Sequence, residues 1–304
     1  MGEKGQVDER SELSKRTIPH MTMAQGDDLH SREAIDALHP AARDSAAGRF
    51  SLSGNAIVTG GTGAIGATAI RAMLQHGVSG VMIFDVNMAA PDSEATLASL
   101  KAEFPNATIA GRSVDVTDEQ QVAQGVADAA ATLGSVDMLV CFAGIVGCVD
   151  ALDMAASQWR RILDVNTTGA FLCAQAAARQ MVSQGRGGRI VLTASISAHR
   201  VNFPQPQAAY NVSKAAVVAL KSSLAAEWAR YGITVNSVSP GYMDTVLNEG
   251  DGLASARKLW NERNPFGRMG LPDEVAGMVV LLLSRAGSYV NGADMIIDGG
   301  GTVF

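Results

Sequence analysis

The chain has 304 residues, enough for one large core or two modest ones, with 47% hydrophobic and only 18% charged residues and 32 glycines. Its net charge of −6 without a basic cluster argues against nucleic acid as a partner, and no apolar run is long enough to span a membrane. The three cysteines, Cys141, Cys148 and Cys173, are too few for a disulfide framework; with no apolar leader at the N-terminus, they suggest a cytoplasmic protein.

Residues 1–49 are polar and aperiodic, interrupted by Pro19 and Pro40. They are expected to form a loosely ordered extension with at most a short helix over 31–38. His20, His30 and His39 are too irregularly spaced to suggest a metal, and none is expected. A regular pattern begins at residue 50 and shows no further linker, so residues 50–304 read as one domain.

Residues 55–59 form a short apolar strand, followed by Gly60, Gly61, Thr62, Gly63, Ala64, Ile65 and Gly66, and then a helix over 67–75. A strand, a glycine turn and a helix in that order make a pyrophosphate site, because helix N–H groups and the helix dipole face the anion. A second strand, 80–84, ends at Asp85, nineteen residues after Gly66. A carboxylate there accepts hydrogen bonds from both ribose hydroxyls and repels a 2′-phosphate, which favours NAD over NADP. Alternatively, Asp85 caps the next segment.

Helix 93–103, strand 108–114 ending at Asp115, helix 118–133 and strand 136–141 continue the alternation. Thr117 or Asp118 is the expected cap of the third helix. Short apolar strands alternating with longer helices predict an α/β fold, a doubly wound parallel sheet of about seven strands with helices on both faces. Ligands should gather at the strand C-termini, where Gly60, Asp85, Asp115 and Gly144 fall.

A helix over 156–164 is interrupted at Asn166 and followed by a second helix reaching Gln184. Asn166 is a polar group that needs partners, and satisfying backbone groups at a kink is one use for it. Strand 189–193 leads into Ser195 and Ser197, then into a proline-stiffened loop with His199, Asn202, Phe203 and Gln205. Tyr210 and Lys214 share one face of the next helix, which is expected to run to about residue 230. A nearby ammonium favours the phenolate and brings a phenol toward acid/base use, whereas YxxxK alone also fits a surface pair. Strand 233–238, a helix over 248–264 broken near Asp251 and Gly252, helix 272–283 and strand 294–297 complete the chain.

Together these features resemble the short-chain dehydrogenase/reductase family over roughly residues 50–304. The family's TGxxxGxG falls on Thr59 to Gly66, with Ala64 in place of its middle glycine. Its NAG-type turn appears as Phe142, Ala143, Gly144 without the usual asparagines, and its PGxxxT segment as Pro240 to Thr245. Its catalytic asparagine, serine, tyrosine and lysine fall on Asn166, Ser195, Tyr210 and Lys214. Ser197 is the alternative serine, since most members have a shorter separation to the tyrosine. The stretch from Thr193 to Gln207 is similar to a subgroup of arabinitol, mannitol and sorbose-type polyol dehydrogenases and a yeast carbonyl reductase.

The resemblance implies hydride transfer between a secondary alcohol and a ketone, most directly a polyol/ketose pair. A bulkier or aromatic ketone, or a non-catalytic dinucleotide-binding protein, are the rival readings. Tyr210 would exchange the proton, Ser195 would hydrogen-bond the reacting oxygen, and Lys214 would hold the nicotinamide ribose. Asn166 would retain a water that completes a proton relay. Gly60, Thr62, Gly63, Ala64, Ile65 and Gly66 would face the pyrophosphate, Asp115 and Val116 the adenine, and Ala143, Gly144, Pro240, Gly241 and Thr245 the remaining cofactor path. Ser195, Ser197, His199, Asn202, Gln205, Tyr210 and Tyr242 are the expected substrate contacts. Ser195 lacks a nucleophile-elbow context and no acidic orienter for His199 is evident, so a hydrolase is set aside. A homotetramer, or a dimer, is the assembly the family implies.

Overall fold

The computed structural model describes residues 19–24, 29–30, 34, 45–245, 248 and 250–303. The helix expected over 31–38 lies outside them apart from Ala34. Seven strands form one parallel sheet: β1 (Asn55–Thr59), β2 (Gly80–Asp85), β3 (Thr108–Ser113), β4 (Met138–Cys141), β5 (Gly188–Thr193), β6 (Ile233–Pro240) and β7 (Asp294–Ile297). Their spatial order is β3-β2-β1-β4-β5-β6-β7. The chain runs outward from β1 to β3 on one side, then returns to place β4 against β1 in parallel register, Ala56 opposite Met138. The crevice at that reversal is where open parallel sheets bind ligands.

Strand side chains alternate between two cores. Ile57, Met82, Phe84, Leu139, Cys141, Ile190 and Leu192 face one side, where they meet α3 (Glu119–Leu133), α5 (Gly169–Gln184) and α6 (Ala208–Trp228). Ala56, Val58, Val81, Ile83, Val140 and Val191 face the other, against α1 (Ala64–Gln75), α2 (Pro91–Glu103) and α8 (Pro272–Leu283). Strands buried on both faces explain why they read as near-continuous apolar runs in the sequence. Phe84 is 1% exposed, and truncating a core phenylalanine to alanine costs about 3–5 kcal/mol.

Two local expectations change. The break at Asn166 is a π turn, Asp164–Thr168, that joins α4 (Ala156–Leu163) to α5 without ending the helix. Between residues 248 and 264 the described residues form a 3-10 turn, Asp251–Leu253, and then α7 (Ala254–Glu262). Among the described residues no helix is long and apolar enough to cross a membrane.

Candidate active site

The turn after β1 is set by steric limits. Gly60 has φ +63°, and a Cβ there would lie 2.7 Å from the Ala143 nitrogen. A Cβ on Gly66 would meet the Gly60 oxygen at 2.4 Å. The first turn of α1 has Gly63 as its N-cap, no side-chain cap and no acidic residue. Its leading N–H groups are left without helical acceptors, so Ala64, Ile65 and Gly66 present a positive dipole end to the crevice. These residues fit a dinucleotide pyrophosphate, and Ala64 supplies the same N–H as the glycine it replaces.

Asp85 is engaged by its own neighbours. It accepts from Thr62 Oγ1 at 2.5 Å, from Thr62 N at 3.4 Å and from Val86 N at 2.9 Å. Ser93 Oγ donates to Thr62 Oγ1 at 3.3 Å. Asp85 caps no helix; Ala90 is the N-cap of α2. Asp115 accepts from the Thr117 backbone at 2.9 Å and its hydroxyl at 2.7 Å, and these bonds hold its carboxyl below the usual carboxylate range. Val116 is buried, with the backbone of Gly169 close against it. Asp118, not Thr117, caps α3, accepting from the backbone of Gln120 and Gln121.

The second half of the site comes from the π turn, β5 and α6. Asn166 is 1% exposed; its Oδ1 accepts from Ile145 N at 2.8 Å and its Nδ2 donates to the Ile145 carbonyl and to Ser213 Oγ. Asn166 therefore ties the π turn to the loop after β4: the backbone groups it satisfies belong to Ile145, not to the kink itself. Ser213 Oγ donates in turn to the Tyr210 carbonyl at 2.7 Å, so Asn166 braces the turn of α6 that carries Tyr210 and Lys214. A Cβ on Gly144 would lie 3.1 Å from Asn166 Oδ1 and 3.6 Å from Lys214 Nζ, which makes glycine the residue that fits between them.

Lys214 is buried, donates to the Thr193 carbonyl at 2.7 Å, and is pushed down to about 8 by loss of water around its ammonium. Burial pushes the Tyr210 phenol up; a hydrogen bond with Ser195 draws it back, and the neighbouring Tyr242 phenol adds to the rise. Burial thus governs the phenol, and Lys214, 5.7 Å from the ring centroid and hydrogen-bonded to the Thr193 carbonyl, does not bring Tyr210 below its ordinary value as their spacing predicts. Ser195 is the N-cap of a short 3-10 turn, Ile196–Ala198; it accepts from Ser197 N and donates to Ser197 Oγ, both at 3.1 Å. Ser195 is the serine that draws the Tyr210 phenol down, and Ser197 is hydrogen-bonded to Ser195.

The other expected substrate residues divide. Asn202 Nδ2 and Gln205 Nε2 both donate to the Tyr242 hydroxyl, at 2.9 and 3.0 Å, and Trp260 Nε1 donates to Gln205 Oε1 at 3.2 Å. The Tyr242 and Trp260 rings stack 4.2 Å apart. His199 turns away toward β7, 2.8 Å from Asp294 Oδ2, so an acidic partner for this histidine does exist. It lies 95 residues further on, and sequence reading had no signal to find it. Asp294 also accepts from Ser237 and Ser239, which makes the cluster a clasp between the loop after β5 and the last two strands. Pro240 ends β6, Gly241 N donates to the Ile297 carbonyl at 2.9 Å, and Thr245 is buried beyond them.

Residues 61–302 match the family model described as Enoyl-(Acyl carrier protein) reductase. The chain belongs to the short-chain dehydrogenase/reductase family, enzymes acting on CH–OH groups with a dinucleotide cofactor. It is 36% identical to the sorbose reductase of Schizosaccharomyces pombe over 258 residues, 83% of this chain and 97% of that protein. It is 35% identical to the NADP-dependent mannitol dehydrogenase of Alternaria alternata over 254 residues, 83% of this chain and 93% of that one. Among solved structures, a gluconate 5-dehydrogenase from Burkholderia cenocepacia in complex with NADP and tartrate superposes with a TM-score of 0.77 at 32% identity, covering 86% of this chain and all of that one.

NAD, expected over NADP from Asp85, is overturned by these relatives, one of them NADP-dependent and another holding NADP. The physical reason lies in the hydrogen bonds of Asp85. A carboxylate already accepting from Thr62 and Val86 is not the free fork that NAD selection by the ribose hydroxyls requires.

Proposed function

We propose that the enzyme interconverts the secondary alcohol of a polyol and the ketone of a ketose with NADP as its dinucleotide. The observation that carries this reading is the junction of Tyr210, Ser195 and Lys214 with the uncapped start of α1 at the C-terminal ends of the parallel strands. The sorbose reductase and mannitol dehydrogenase relatives support the substrate class.

The cofactor, when bound, supplies the hydride acceptor or donor. Gly60, Thr62, Gly63, Ala64, Ile65 and Gly66 would hold its pyrophosphate, Asp115 and Val116 its adenine end, and Ala143, Gly144, Pro240, Gly241 and Thr245 its nicotinamide end. In oxidation Tyr210, having passed its own proton toward Lys214 and solvent, accepts the carbinol proton at Oη; in reduction it gives its proton to the developing alkoxide and is reprotonated from the same side. On substrate binding Ser195 turns its one O–H from Ser197 Oγ to the same substrate oxygen, and a donor fixed where charge develops is worth far more in a dry site than in water. Lys214 holds a positive charge beside the phenol and exchanges protons easily near pH 8. Both amide hydrogens of Asn166 are taken, and the second lone pair of its Oδ1 is available to a water between Asn166 and Lys214. Asn202, Gln205 and Tyr242 form the polar wall that meets the substrate, and His199 acts on it only through the loop it anchors.

A cytoplasmic homotetramer belongs to the same proposal. The cysteines are free thiols, and Val182 on α5 and Val212 on α6 stand 40% and 46% exposed on helices suited to pairing. The test is a panel of pentitols, hexitols and aromatic alcohols with NADP and NAD, followed by absorbance of the reduced cofactor. Polyol oxidation with NADP is expected; turnover confined to aromatic alcohols would overturn the substrate class.

A further inference from the structure

Tyr242 and Trp260 also form one wall of a cavity of about 460 Å3, which neither Tyr210 nor Ser195 lines. Its other walls come from the loop at 200–203 and from residues 262–265. Two guanidinium groups, Arg200 and Arg263, line it, and neither forms an ion pair with a carboxylate among the described residues. Arg200 donates one N–H to the Gly301 carbonyl, which fixes its fork and leaves further donors unspent. Arg263 lies over the Phe203 ring, 4.7 Å from its centroid, so its flat face is covered and its N–H edge is available. The one acid in the lining, Glu262, lies 3.8 Å from Lys258. The cavity therefore carries an excess of positive charge in a fork geometry suited to carboxylate or phosphate oxygens.

A second kind of partner is also missing. Asn202 Oδ1 is buried without a hydrogen-bond donor, while its Nδ2 is committed to Tyr242. Any O–H or N–H donor that reaches it, a water included, completes it. Tyr242 joins this cavity to the reaction centre, since its hydroxyl is held by Asn202 and Gln205 on the loop that runs from Ser195 to Tyr210.

We propose that the cavity is a subsite for an anionic group, carboxylate or phosphate, at the far end of a hydroxylated substrate whose carbinol lies at Tyr210. The proposal rests on the polyol/ketose reading and narrows it. A neutral polyol would leave both guanidinium groups to water; a sugar acid or sugar phosphate engages them.

The test is calorimetric titration of tartrate and of neutral erythritol into the NADPH-bound protein, for wild type, Arg263→Ala and Arg263→Lys. Arg263 is the residue to change because Arg200 also holds Gly301. Tartrate should bind more tightly than erythritol, Arg263→Ala should weaken tartrate about tenfold more than erythritol, and Arg263→Lys should recover part of the loss. A parallel KM comparison of gluconate, glucitol 6-phosphate and glucitol identifies the source: the anion whose KM rises most in Arg263→Ala is the group the subsite takes. Equal binding of tartrate and erythritol, or equal weakening of both in Arg263→Ala, would overturn the subsite. The titration needs no turnover, so selective tartrate binding would support the subsite even where no polyol is oxidised. Polyol oxidation without anion discrimination would remove the subsite alone.

Discussion

Lys214 Nζ lies 5.7 Å from the Tyr210 ring centroid and is hydrogen-bonded to the Thr193 carbonyl at 2.7 Å. The ammonium is thus tied to the last residue of β5, two residues before Ser195, and reaches Tyr210 through space. Acid, donor and cation converge because α6 starts where the loop after β5 returns to the sheet.

Replacing the proton carrier should separate chemistry from binding. Tyr210→Phe is expected to lower turnover by about 10²–10⁴-fold while NADPH affinity, read by fluorescence titration, stays close to wild type. Wild-type turnover in this variant would remove Tyr210 from the mechanism.

The two serines make a paired comparison. Ser195 draws the Tyr210 phenol down, whereas Ser197 is bonded to Ser195. Ser195→Ala should cost about 10²-fold in kcat, and Ser197→Ala clearly less. The reverse order in steady-state kinetics would reassign the oxygen-binding role.

Buried Lys214 gives a stability signature with a definite sign. Its folded value is about 8 against an ordinary 10.5, so below pH 8 it is charged in both states and the full cost of the buried ammonium is present. Between those values the unfolded chain holds more protons than the folded one, and this residue's contribution to stability rises with pH. Lys214→Met lacks that titration. Urea unfolding of both proteins at pH 7 and pH 10.5 should show the wild type gaining on the variant by on the order of 3 kcal/mol. A difference that does not change with pH would show that Lys214 titrates normally.

Gly66 offers a steric test of the dinucleotide cradle. A methyl there meets the Gly60 oxygen at 2.4 Å, a backbone atom that cannot swing aside as a side chain does. Gly66→Ala should weaken NADPH binding by at least about tenfold, whereas Ala64→Gly should leave it near wild type. Equal affinities in calorimetry would show that the turn yields more readily than its geometry indicates.

Much of this was visible in the chain. Strands and helices were recoverable because doubly buried strands make unbroken apolar runs, and because α5 and α6 carry long stretches of good helix formers. The glycine turn and the Tyr210/Lys214 pair depend on local spacing, which sequence records directly. Contacts between distant segments are not recorded in that way. His199 meets Asp294 across 95 residues, Gln205 meets Trp260 across 55, and Asp85 meets Thr62 through a turn whose side-chain direction no pattern reports. For Asp85 that hidden bond altered the chemistry inferred: a carboxylate identified by its position had partners that only the folded turn supplies. The π turn at Asn166 was visible as an interruption, but its hydrogen-bond pattern was not.

The clasp of Asp294 on His199 has a consequence for biosynthesis. The loop after β5 is translated long before β7, so it emerges from the ribosome lacking the carboxylate that later pins it. A nascent chain that has completed the glycine turn and α6 therefore carries every group of the proton-transfer site, yet the loop bearing Ser195 still lacks one of its anchors. β7 completes that support, so the loop bearing Ser195 gains this anchor only once β7 has been made.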